Sequence, residues 1–130
     1  AFLSPWCDLS NAGPSVVNND GRDPALSAQH IDFAANYYVG EHDPTNPMIS
    51  PIYGVFDKSF PPSIITTGSR DLLMSQAMGL RDVLKDNNVP VELCLWKDLW
   101  HVFEWDYRLP ESSESIRQIS NWLQRYMPNF

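Results

Sequence analysis

Asp71 and His101, thirty residues apart, are the pair in this sequence whose types and spacing best suit chemistry. Each follows a strand-like run. Ser63 to Thr67 leads through Gly68-Ser69-Arg70 into Asp71, and Val91 to Trp96 leads into a loop holding Trp100-His101-Val102-Phe103. If those strands lie parallel and adjacent, a right-handed crossover brings both loops to the same edge of the sheet, where ligands and catalytic groups collect. An aspartate bonded to a histidine there orients the imidazole and stabilises its charged form, as the last two members of a nucleophile, histidine and acid triad do. Plainer roles compete. An aspartate just ahead of a helix caps it, a histidine among aromatics packs, and Arg70 beside Asp71 makes an ordinary ion pair worth about 0 to 1 kcal/mol when exposed.

The third member of such a triad has no candidate. Six glycines, at positions 13, 21, 40, 54, 68 and 79, form no G-x-S-x-G, the motif that holds a nucleophilic serine on a tight strand-to-helix turn. Nor is there a His-Gly-Gly loop to donate hydrogen bonds to an oxyanion. Ser50, Ser59, Ser63 and Ser69 sit beside prolines or in open turns, without the neighbours that activate a hydroxyl. His30 falls on a helical face and reads as structural. His42 lies beside Asp43 with no third ligand near, so no metal site is expected.

Eight of the eleven prolines fall at or before position 62, so the two halves must be built differently. Residues 5–62 read as loops around one helix, started by Asp23-Pro24 and stopped by Gly40, with Leu26, His30, Phe33 and Tyr37 on one face. Residues 63–130 read as a regular βαβα unit. Strand Ser63 to Thr67 is closed by Gly68; a helix capped by Ser75 runs to about Asn87 on a face of Ala77, Leu80 and Leu84; Val91 to Trp96 is the next strand. The last helix, about Ser112 to Met127, places Ile116, Ile119, Leu123 and Tyr126 together. Strands alternating with helices over short connections predict an α/β unit with a parallel sheet.

A chain of 130 residues with 43% hydrophobic and 12% aromatic content is not a disordered tail. Sixteen acids against nine bases give a net charge of -7, which disfavours nucleic acid as a partner. Only Arg22 and Lys58 are basic in the first 65 residues, so that half offers no polybasic membrane patch. Apolar runs such as Ser63-Ile64-Ile65-Thr66 fall far short of the ~20 residues that span a bilayer, and no signal segment is expected. Cys7 and Cys94 lie in different candidate strands without metal spacing, so a reducing cytoplasm is the default compartment.

Ser4-Pro5-Trp6-Cys7-Asp8-Leu9-Ser10, Tyr38-Val39-Gly40 with Asp43-Pro44, Ile49-Ser50-Pro51-Ile52-Tyr53-Gly54, Phe60-Pro61-Pro62, Thr67-Gly68-Ser69-Arg70-Asp71-Leu72-Leu73 and Trp100-His101-Val102-Phe103 occur in that order. Together they resemble the C-terminal part of a hormone-sensitive-lipase-like α/β-hydrolase, over essentially the whole chain. The resemblance implies a partial α/β-hydrolase fold of about three parallel strands with flanking helices, forming a single partial domain over residues 1–130 without the N-terminal half. It implies Asp71 as the triad acid, His101 as general base, a small ester as substrate and no cofactor. It also places the serine and the oxyanion glycines upstream of the segment that Ala1-Phe2-Leu3-Ser4 matches. Alone, the chain is therefore expected to be inactive. The stretch from Asp20 to Pro62 resembles the segment that covers and shapes the pocket, with Met48 and Phe103 as pocket candidates. One departure is Ser75, where the family often has a second acid four residues after the catalytic aspartate.

The expected partners are the missing N-terminal half or a second copy, pairing through the strand at Ala1 to Ser4. A second function class stays open: a non-catalytic binding or assembly protein on the hydrolase scaffold, with Trp96, Trp100, Trp105 and Trp122 as a stacking surface. For Trp96 and Trp122, a core position is the better expectation.

Overall fold

The computed structural model describes residues 1–127. Strands β1 (Phe2–Leu3), β2 (Ser63–Gly68) and β3 (Val91–Trp96) form a parallel sheet in the order β1-β2-β3. Helices α1 (Pro14–Asn18), α2 (Ala28–Val39), α3 (Met74–Asp86) and α4 (Pro110–Tyr126) flank it, with 3-10 turns at Pro51–Tyr53 and Phe103–Trp105. All six residues of β2 are buried, as a middle strand covered on both faces requires. Successive side chains point to opposite faces, so Ile65 joins Ala77, Leu80 and Leu84 of α3, while Ile64 joins Ile119 and Trp122 of α4. The register runs from Ser63 opposite Val91 to Gly68 opposite Trp96. Both strands thus end at the same level, and the loops that follow them leave side by side.

The bounds of β2 and β3 follow the sequence pattern closely. The helices differ more. α3 starts one residue before Ser75, and the Ser75 N–H is held by Ser15 Oγ at 2.9 Å, so Ser75 joins two segments instead of capping. The loop-rich stretch contains the short α1 as well as α2, where one helix was expected. α2 starts at Ala28, capped by Ser27, because Asp23 spends its carboxylate on the N–H groups of Ala25 (2.8 Å) and Leu72 (2.9 Å). Its buried stripe is Ile31, Ala35 and Val39, whereas His30, Phe33 and Tyr37 are exposed. α4 is likewise rotated from the expected face. Ser112, Ser115, Ile119 and Trp122 are buried, leaving Ile116, Leu123 and Tyr126 partly open. Ser112 and Ser115 face inward because each finds a partner there, the Phe103 carbonyl at 2.9 Å and Glu104 Oε1 at 2.9 Å.

Buried polar side chains order the loop-rich segment. Gln76 of α3 accepts the N–H groups of Cys7 and Asp8 on Oε1, both at 3.0 Å, and donates to the Asp8 carbonyl at 2.9 Å. Ser50 accepts from Leu9 N–H at 2.7 Å and donates to the Pro44 carbonyl at 2.6 Å. Such bonds meet the requirement that buried backbone groups be paired where no ladder exists. Cys7 and Cys94 are both free thiols. Burial first, and then the neighbouring Asp8, push the Cys7 thiol up to about 12, which makes it a packing residue and no substitute nucleophile. Among the described residues, no helix is long and apolar enough to cross a membrane.

Candidate active site

Asp71 lies on the loop after β2 with no exposed side-chain surface, and His101 lies on the loop after β3 with a fifth of its side chain open. The two loops are tied together before either residue is reached. Ser69 N–H donates to the Trp96 carbonyl (2.8 Å), Arg70 N–H to the Leu99 carbonyl (2.8 Å), and Asp98 N–H to Ser69 Oγ (2.8 Å). The Arg70 guanidinium pairs with Asp98 at 3.2 Å, not with Asp71. Gly68 permits this contact: a Cβ there would lie 2.1 Å from the Leu99 carbonyl oxygen and 2.8 Å from Trp100 N.

This juxtaposition puts His101 Nδ1 3.2 Å from Asp71 Oδ1. The same oxygen accepts Leu73 N–H at 2.8 Å, and Oδ2 accepts the Thr67 hydroxyl at 2.7 Å. Asp71 therefore bonds the start of α3 and faces the imidazole at once. An ionised carboxylate can only accept, so Nδ1 carries the shared proton and Nε2 is the nitrogen left for chemistry. Burial alone pushes the Asp71 carboxyl up, and it is the largest single influence. The hydrogen bond and charge of His101, then Leu73 N–H and the Ser4 hydroxyl, together outweigh it and hold the carboxyl below its ordinary 3.8.

Residues without a chemical signature in the sequence complete the support. Asn19 donates to the carbonyls of Asp71 (2.8 Å) and Ser69 (3.2 Å), so α1 and its flank grip the acid loop. Beyond His101, Val102 N–H donates to Ser4 Oγ at 3.0 Å, and Glu104 Oε1 accepts from Thr66 (2.6 Å) and Ser115 (2.9 Å). An asparagine before a Gly-rich turn or a serine before proline signals local geometry only, which is why sequence patterns pass over them.

Ala25, Trp100, Val102 and Trp105 surround His101 in an open cavity of about 320 Å³. Met48, 89% exposed, lies elsewhere, on a larger apolar groove of about 750 Å³ with Trp6, Phe33, Tyr37 and Tyr38. Phe103 is 0% exposed and packs against Trp96, with ring centroids 5.6 Å apart and planes tilted by 54°. It supports the His101 loop from below and does not face open space, because the chain turns inward after Val102. Trp122 is buried and Trp96 half-buried, while Trp105 is exposed. Among the described residues no cluster of three or more metal-ligating side chains occurs.

Comparison with known proteins identifies the fold. An acetyl-hydrolase of Streptomyces hygroscopicus is 29% identical over 123 residues, 94% of this chain and 41% of that protein. The crystal structure of a hormone-sensitive lipase from a metagenome library superposes with a TM-score of 0.91 at 31% identity, covering 96% of this chain and 43% of that one. An esterase from the bacterial hormone-sensitive lipase family gives 0.90 at 29%, covering 96% and 42%. The chain thus spans about two-fifths of these relatives, with three parallel strands and flanking helices that form part of their fold. A family model described as the alpha/beta hydrolase fold matches residues 1–105. The paired strand ends that bring Asp71 to His101 fall inside that match, and the chain belongs to the α/β-hydrolase fold family.

Proposed function

We propose that this chain is the C-terminal portion of a carboxylic ester hydrolase, supplying the acid and the general base of a serine triad. The contact of His101 Nδ1 with a buried, fully bonded Asp71 carries the proposal. In the complete enzyme His101 Nε2 takes the proton of a serine as it attacks the ester carbonyl and returns it to the leaving alcohol. Asp71 holds the ring and stabilises the imidazolium. In this reading the serine and the oxyanion donors come from a part of the enzyme outside these 130 residues, which hold no G-x-S-x-G. The names of the relatives, acetyl-hydrolase and esterase, support a small ester as substrate. The free thiols of Cys7 and Cys94 support a reducing, cytoplasmic setting.

An upstream half has a surface to occupy. Among the described residues the two-residue β1 pairs with β2 on one side and with no strand on the other, and a groove along α4 exposes Ile116, Leu123 and Met127. Without that half, the chain should hydrolyse p-nitrophenyl acetate no faster than buffer. Fused to the N-terminal half of a hormone-sensitive-lipase relative, it should gain turnover that His101→Ala lowers by about 10⁴ or more. Activity in the fusion that survives His101→Ala would leave the chain as scaffold only.

A further inference from the structure

We propose that Ser4 is a positioning residue for His101: its hydroxyl clasps Val102 in a left-handed backbone conformation, and that conformation aims the imidazole at Asp71. The inference rests on Asp71 and His101 acting as acid and base. Val102 has φ 47° and ψ 46°, a region that a β-branched residue avoids because Cβ crowds the carbonyl that follows. Such a conformation persists only where its surroundings over-determine it. Here both flanks are fixed. Phe103 is wholly buried with its carbonyl bonded to Ser112, and Leu99, upstream, is locked to Arg70 N–H. Val102 itself makes two bonds: its carbonyl accepts Trp105 N–H at 3.1 Å within the loop, and its own N–H reaches across to Ser4 Oγ at 3.0 Å.

Ser4 is built to hold that bond. It is 3% exposed, its own N–H donates to the Thr66 carbonyl at 2.8 Å, and it too has a positive φ of 46°. A left-handed serine directly after β1 turns its hydroxyl across the end of β2 toward the loops beyond. A hydroxyl has lone pairs for one neighbour and a single proton for another. Val102 N–H takes the first, and the proton left over is the weakest of the influences that favour the charged form of Asp71. One residue of the first segment thereby joins β2 to the base loop, through its N–H on one side and its hydroxyl on the other.

The readout is the tautomer of His101 in this chain, taken from its ring nitrogen shifts in long-range proton–nitrogen spectra at a pH where the ring is neutral. The unaltered chain should show the Nδ1–H form. Ser4→Ala should lower the ratio of Nδ1–H to Nε2–H about tenfold, the effect of losing one hydrogen bond's worth of orientation. Adding Val102→Gly should restore most of the ratio, because glycine takes the left-handed conformation without a clasp. Should Ser4→Ala fail to fold by circular dichroism, Ser4→Gly removes the hydroxyl while easing the positive φ, and serves the same comparison. A folded Ser4 variant with an unchanged ratio overturns the proposal, as does a double variant that recovers nothing. An unaltered chain already in the Nε2–H form overturns the pairing with Asp71 itself, and the role of Ser4 with it.

Discussion

In a fusion carrying the upstream half, Asp71→Asn should keep its fold and lose about 10² to 10³ in turnover, less than the roughly 10⁴ that serine proteases lose when the same change reverses the histidine tautomer. The difference follows from the partners of each oxygen. Oδ1 serves Leu73 N–H and His101, whereas Oδ2 serves the Thr67 hydroxyl. A hydroxyl can turn and accept, but a backbone N–H cannot. The asparagine NH₂ therefore settles toward Thr67 and leaves its oxygen facing the imidazole. The tautomer survives, and what is lost is the negative charge that stabilises the imidazolium. Steady-state rates with p-nitrophenyl acetate, read beside the His101 nitrogen shifts, test both halves. Unchanged rates would end the triad assignment, and a loss near 10⁴ with an Nε2–H ring would end the Thr67 argument.

The same variant tests linkage to pH. Because the folded protein holds the Asp71 carboxyl below its ordinary value, the folded state binds fewer protons there than the unfolded one. Its contribution is present above the unfolded value of about 4 and disappears as pH falls through the lower folded value. Urea midpoints should show the parent more stable than Asp71→Asn at pH 7, with the gap narrowing by pH 3. A gap that held or widened in acid would contradict the depressed carboxyl.

Gly68→Ala should disrupt the site from outside it. The added methyl would run into the Leu99–Trp100 peptide group: the Leu99 oxygen at 2.1 Å, its carbon at 2.3 Å and Trp100 N at 2.8 Å. No side chain can swing away, so the loop that carries His101 must move. Forcing atoms into packed space costs about 1–3 kcal/mol, or roughly 4–11 °C in Tm for a chain of this size. The 3.2 Å contact between His101 and Asp71 would lengthen with it. Thermal melts and the His101 tautomer measured together should both change. A variant with the parent's Tm and ring shifts would show that the two loops are not locked as described.

The parts of the fold set by strict patterns were legible in the sequence. β2 and β3 are short β-branched or apolar runs ended by Gly68 and started after Pro90, and α3 shows one apolar stripe. α2 was legible as a helix but not in its orientation. It carries two stripes, and the bulkier one, with Phe33 and Tyr37, faces an open groove, while Ile31, Ala35 and Val39 fit the close contact. Hydropathy favours the large side chains, whereas packing selected the small and branched ones. In α4 the inward serines are likewise invisible to periodicity, since only Glu104 and the Phe103 carbonyl make those positions satisfactory. Of the site, Asp71 and His101 could be found because strand ends in a parallel sheet gather functional groups. Ser4 and Asn19 could not, because their roles depend on contacts across 98 and 52 residues that no local pattern encodes, and Thr67 reads simply as a β-branched strand residue.

The sheet also carries information about time. Ile65 pairs with Leu93, 28 residues on, but with Phe2, 63 residues back. Closing the longer loop costs about 0.7 kcal/mol more in chain entropy by the logarithmic law, and β1 brings only two residues of pairing to offset it. Local closures form first. The β2-α3-β3 unit therefore assembles with Asp71 and His101 already on it, and Ser4 arrives as the last piece, setting the angle at which an acid and a base on neighbouring loops meet.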